Sequence, residues 1–238
     1  MLFYFDFKVY LQYAWSPQIR NSLIIIAILI IFTVIFGHFL KKKDPNAKPS
    51  KLQLIFEEAV KLINSLTKLT IGKRWKGYAP YFFTIFIYLI VANTSGMFAL
   101  DAPTSSWNVT LGLGIITFVM VHYTGFRSLG VLKYLKSYTD PLPPYVPFLA
   151  PENVLTAFML PFSISLRLFG NIMSGAVMSI LIYGLLSQQT WGWAALIIMP
   201  FFHMIFDIFF GAIQAVVFTL LSCVFIGQKV DEEELIVE

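Results

Sequence analysis

Long apolar runs separated by short polar segments dominate the chain, and their lengths predict most of its elements. Residues 22–40, SLIIIAILIIFTVIFGHFL, contain no acid, lysine or arginine. A run of that length matches the about 20 residues a helix needs to cross a bilayer. Residues 78–100 and the shorter 108–123 read as two further spans. The last two apolar stretches, about 153–187 and 193–227, are overlong. At about 1.5 Å per residue, about 34 residues of helix reach about 51 Å, against a hydrocarbon core of about 30 Å. They are expected to tilt steeply, kink or break, with Pro161 and Pro200 as kink points.

Residues 51–71, KLQLIFEEAVKLINSLTKLTI, follow another pattern. Leu52, Ile55, Phe56, Val60, Ile63 and Leu66 recur at helical spacing on one face, and Glu57 and Lys61 form an i,i+4 pair. This predicts an amphipathic helix lying in the membrane interface. The polar segments are KKKDPNAKPS after the first span, DAPTSSWN between the second and third, residues 124–147, SQQTWG at 187–192 and the acidic tail DEEELIVE. The expectation is an all-α polytopic membrane protein, one integral membrane domain over 1–238. It has five membrane-embedded helices, the last two long and steeply tilted, plus one interfacial amphipathic helix.

Composition agrees with the pattern. The chain is 58% hydrophobic and 13% charged, against about 25% charged in soluble domains. The net charge of +4 sits in segments flanking apolar runs, where it reports topology and not nucleic-acid binding. Residues 41–76 carry ten Lys/Arg and residues 125–150 carry three, whereas the 101–108 and 187–192 loops carry none. The basic loops are therefore expected in the cytoplasm, with the N-terminus outside and the C-terminus inside. The first run is long for a signal peptide and lacks a small-x-small cleavage site, so it is expected to stay as a span. The single cysteine, Cys223, allows neither an internal disulfide nor a cysteine metal site, and reads as a core thiol.

Charge also singles out the candidate chemistry. Of seventeen Lys/Arg, only Arg167 lies deep in an apolar segment; of the acids, only Asp207 does. An intramembrane charge costs about 2.5–3.5 kcal/mol on insertion scales and marks a functional site by default. Ser163, Arg167, Asn171 and Ser174 fall at i, i+4, i+8 and i+11, one polar stripe on a helix, flanked by the small residues Gly170, Gly175 and Ala176. His203, Asp207, Gly211, Gln214 and Ser222 make a second stripe at α-helical spacing. The bland alternative is an Arg167–Asp207 ion pair with a structural role, a poor stabiliser because desolvation offsets the attraction. Taken alone, Asn171 and Gln214 fit interhelical hydrogen bonding, and His203 fits a satisfied core histidine. No Walker loop, nucleophile elbow or metal-ligand cluster occurs in the sequence, which argues against a catalytic subunit and implies no cofactor or metal. One arginine is too few for a voltage sensor, and the absence of repeated halves disfavours an inverted-repeat transporter.

The stretch S-I-S-L-R-L-F-G-N, 163–171, followed by Ser174 and Gly175, resembles the signature of subunit a of the F-type ATP synthase. V-A-N-T-S-G at 91–96, P-T-S-S-W-N-V-T at 103–110, V-H-Y-T-G at 121–125 and I-Q-A-x-V-F-T-L-L at 213–221 are similar to other stretches of that family. The resemblance implies a non-catalytic stator subunit, one copy per complex, in a bacterial-type plasma membrane. Its partners would be a ring of small hairpin subunits bearing carboxylates, a peripheral-stalk subunit b, the remainder of the ATP synthase and the lipid bilayer. Two offset aqueous half-channels would carry protons to and from the ring. Arg167 would be the gate facing the ring carboxylate, and Gln214 would orient it. Asp207, His203, Asn171 and Glu152 would be proton-path candidates. Two departures bear on that path: Ala176 and Ser106 stand where many relatives have ionisable residues. The competing reading is a stand-alone transporter or channel with an intramembrane arginine site; a purely structural scaffold is the third.

Overall fold

A computed structural model describes residues 16–41, 50–98, 100–137, 149–187, 198, 201 and 204–230. Among these the chain is almost wholly helical, without strands. The helices are α1 (Pro17–Lys41), α2 (Lys51–Ile71), α3 (Trp75–Thr94), α4 (Trp107–Leu129), α5 (Val131–Lys136), α6 (Leu149–Ser187) and α7 (Gly211–Gly227). Short 3-10 turns occupy Gly72–Arg74, Ser95–Phe98 and Pro103–Ser105, and Met204–Phe210 winds as a π-helix that runs into α7. Five helical stretches are long and apolar enough to cross a membrane. The molecule is thus an all-α, multi-pass membrane protein.

Several elements differ in extent from the pattern reading. The third span does not stop at 123: α4 runs to Leu129, and α5 occupies part of what reads as a polar loop. Arg127 is exposed on the last turn of α4, so its charge does not oblige the helix to end. α6 has 39 residues, about 58 Å at 1.5 Å per residue, and stays helical through Pro161. Along α2 the buried positions follow the apolar face only in part. Ile63, Thr67 and Ile71 are buried, whereas Ile55 and Val60 are exposed. Thr67 tolerates burial because its hydroxyl donates to the Ile63 carbonyl at 2.6 Å.

The contacts divide the chain into two compact units, each fed by segments of several helices. The first comprises Met1–Ala47, Tyr88–Thr110 and Leu168–Gln214. Within it α1 is tied down at its beginning. Asn21 Nδ2 donates to the Asp101 carbonyl at 3.0 Å, and Ser22 Oγ pairs with Tyr88 OH at 2.7 Å. Beyond the buried Ile25, most of α1 presents exposed isoleucine, valine and phenylalanine, as a lipid-facing helix does. Trp107 meets Phe169 edge-on at 5.8 Å between ring centroids.

The second unit comprises Lys48–Ile87, Leu111–Arg167 and Ala215–Glu238. Here α4 and α6 lie antiparallel. Phe118 packs on Phe158 at 5.9 Å between ring centroids. One turn earlier on α4, Gly114 lies against Ser165 and the Pro161 carbonyl, where a Cβ would come 2.7 Å from that oxygen. Hydroxyls pair across helices, Tyr81 with Thr117 at 3.2 Å and Tyr78 with Thr124 at 2.9 Å. Near the end of α7, Lys229 lies 5.7 Å from the ring of the buried Tyr134, which also packs on Phe126.

Candidate functional site

The polar stripe of α6 follows from its register. At about 100° per residue, Phe158 and Ser165 point about 180° and about 160° away from Arg167. Those two residues meet α4, through Phe118 and Gly114. Ile164 and Ser165 are buried, while Ser163 and Arg167 are exposed with Phe162 and Leu166. Within the second unit, then, α4 covers the back of α6 and leaves the arginine on the open front. Arg167 has no ion-pair or hydrogen-bond partner among the described residues. Asn171, one turn later on the same helix, is half-buried, and Ser174 is exposed.

Gln214 lies in the first turn of α7, only 5% exposed. Its amide nitrogen has no hydrogen-bond partner among the described residues. A buried amide donor left bare costs about 1–3 kcal/mol, so this one calls for an acceptor from outside the described structure. Asp207 lies in the π-helical segment Met204–Phe210, and its side chain is outside the described residues, as is His203. Glu152 belongs to the first turn of α6, with its side chain likewise outside them. The α-helical spacing that puts Asp207, Gly211 and Gln214 on one stripe does not carry across the π-helix, whose i→i+5 bonding widens the turn. The sequence there, MIFDIFF, is apolar on every side of its one acid and has no period to betray the wider turn.

One polar node escaped the sequence reading. Asn93, at the end of α3 and 1% exposed, donates from Nδ2 to the Gly211 carbonyl at 2.9 Å. Its Oδ1 accepts from the Thr104 hydroxyl at 2.8 Å, and Thr104 is fully buried. The available signal was Asn93 itself, the one carboxamide in the 78–100 span.

Residues 22–227 match the family model described as ATP synthase A chain. The chain belongs to the ATP synthase subunit a family. Among its relatives, "ATP synthase subunit a" of Streptococcus equi subsp. zooepidemicus is 31% identical over 231 residues, covering 92% of this chain and 95% of the relative. "ATP synthase subunit a, chloroplastic" of Stigeoclonium helveticum is also 31% identical, over 236 residues, covering 93% and 90%. The subunit a of Streptococcus gordonii is 29% identical over 221 residues, covering 88% and 90%. The matched range of this subunit a family member contains Arg167, Asn171, Asp207 and Gln214, the residues isolated above on chemical grounds.

Proposed function

We propose that this chain is the proton-conducting stator of a rotary ATP synthase, with Arg167 as its electrostatic gate. The observation that carries the reading is Arg167 itself: a cation without a partner among the described residues, on the face of an apolar helix turned away from its packing neighbour. A guanidinium keeps its charge under all working conditions and presents five donors in a planar fork matched to a carboxylate. A ring carboxylate arriving opposite it is favoured as the anion and releases its proton into one half-channel. Turned towards lipid, the same carboxylate must be neutral, because a bare charge in hydrocarbon is too costly. Protons therefore cross only by riding the ring, and the fixed charge of Arg167 blocks a direct passage between the half-channels.

The exposed apolar Leu166, beside the stripe in the second unit, suits sliding contact with apolar partner helices. Gln214 offers a carbonyl oxygen to orient the guanidinium, and its amide nitrogen, without a partner among the described residues, suits a water or a passing carboxylate. Asp207 is the outer half-channel group, with His203 as a relay and Asn171 along the path. Glu152 stands at the inner entrance. The subunit catalyses no reaction itself. It works with the carboxylate ring, the peripheral stalk and the rest of the complex, as one copy, with its N-terminus outside and C-terminus in the cytoplasm.

The test is reconstitution of the whole complex in liposomes, wild type against Arg167→Ala. Loss of both proton-driven ATP synthesis and ATP-driven pumping is expected, and a raised passive leak would show the half-channels joined. Near wild-type coupled activity would remove Arg167 from the mechanism. A chain that instead purifies alone and moves a solute would favour the stand-alone transporter.

A further inference from the structure

Two family-like motifs have no part in the gate: V-A-N-T-S-G at 91–96 and P-T-S-S-W-N-V-T at 103–110. The fold brings them together, within the first unit, on the residue that opens α7. We infer that Asn93, backed by Thr104, is a positioning residue that holds the Gly211 carbonyl and so fixes the rotation of the segment carrying Asp207 and Gln214. The inference rests on the proposed stator function.

Three observations support it. Asn93 is 1% exposed and bonded at both ends of its amide, to the Gly211 carbonyl at 2.9 Å and from Thr104 at 2.8 Å. A carboxamide inside an apolar span is expensive unless so bonded, and once bonded it fixes the helices it joins. The approach is also close: a Cβ on Gly211 would sit 2.9 Å from the Asn93 Cβ, nearer than real Cβ atoms come. Lastly, Gly211 stands where the wide turn of Met204–Phe210 gives way to α7. π-helical turns are rare and collect at functional sites. Asp207 lies four residues before this junction and Gln214 three after it, so a side chain gripping the junction sets the angle at which both are presented. The role of Thr104 is indirect: its hydroxyl orients the Asn93 amide with the nitrogen towards Gly211. A loop residue between two spans is thereby wired to the polar end of the last helix.

The experiment compares whole complexes in liposomes carrying Asn93→Leu, Thr104→Val, Thr104→Ser, the Asn93→Leu/Thr104→Val pair and Arg167→Ala. Proton-driven synthesis and ATP-driven pumping are read per assembled complex, quantified by immunoblot. Thr104→Val is near-isosteric and keeps the test open where Asn93→Leu fails to assemble. Expected are a several-fold loss of both rates for Thr104→Val and Asn93→Leu, wild-type rates for Thr104→Ser, and a double variant no worse than Asn93→Leu alone. Non-additivity of that kind marks residues acting through one node. Wild-type rates per complex for Thr104→Val and Asn93→Leu overturn the inference, as does a loss explained wholly by reduced assembly. Multiplicative losses in the pair overturn it too. If Arg167→Ala abolishes coupling while the Asn93 and Thr104 variants are silent, only the positioning role falls. If Arg167→Ala retains coupling, the stator reading falls and takes this inference with it.

Discussion

Single residues set the limits of packing near the arginine. Gly114 is the contact point of α4 on α6, two residues from Arg167 along α6 through Ser165. A Cβ there meets the Ser165 hydroxyl and lies 2.7 Å from the Pro161 carbonyl, which is backbone and cannot swing aside. Gly114→Ala is expected to destabilise by about 1–3 kcal/mol, the usual penalty of overpacking, and to be read as a lower unfolding temperature of the complex in detergent. Gly112, with open space around it, accepts the same change without loss. Lys229 makes a second residue-level case. Half-buried beside Tyr134, it has its ammonium pushed by burial below the ordinary lysine value of 10.5. The unfolded chain binds that proton more tightly, so the penalty is full below the lowered folded value and vanishes above 10.5. Stability of the wild type is expected to gain on Lys229→Met as the pH rises through that window, a difference measurable by thermal unfolding across alkaline pH.

At the scale of elements, attachment is uneven. α1 is held by its first residues, and most of its length faces outward. Tyr88→Phe removes one partner of the 2.7 Å Ser22 pair and is expected to cost about 1 kcal/mol, seen as faster proteolysis between α1 and α2. The antiparallel register of α4 on α6 is likewise open to measurement. In a Cys223→Ser background, Phe118→Cys and Phe158→Cys are expected to cross-link on oxidation or with a short reagent, because their rings are 5.9 Å apart. Phe118→Cys with Leu166→Cys, about two turns further along α6 and about 80° round it, is expected not to. Equal cross-linking of both pairs would contradict the register that turns Arg167 away from α4.

For the whole molecule, the distribution of lysine and arginine makes a topological prediction. Ser137 follows α5 in a basic segment, and Asn108 lies in the first turn of α4 beside a loop without basic residues; both are exposed. In a Cys223→Ser background, Ser137→Cys is expected to react with a membrane-impermeant maleimide from the cytoplasmic side and Asn108→Cys from the outer side. The reverse pattern would invert the orientation. Sidedness bears on the proposed function, because it would decide which half-channel Asp207 serves.

Much of this protein is written in its one-dimensional pattern. Apolar runs longer than a bilayer is thick leave a backbone no choice but helix, since hydrocarbon offers no other hydrogen-bond partners. That fixes the all-helical, multi-pass architecture. The solvation cost of a charge in hydrocarbon makes Arg167 and Asp207 conspicuous with no structure at all. Gln214 stood out by its motif. What the pattern does not contain is which face of an apolar helix meets protein and which meets lipid, because both surroundings accept leucine and isoleucine equally. Hence nothing in the pattern separates the buried Ile63 of α2 from the exposed Ile55 and Val60 of the same apolar face, or marks Thr67 and Ile71 for burial. For the same reason the π-helical turn at Met204–Phe210 leaves no trace in a sequence apolar on all sides. The Asn93–Thr104–Gly211 node joins residues 118 apart in the chain, and no local periodicity encodes such a bond. Only the tertiary fold, by bringing a glycine backbone within reach of a buried amide, decided it.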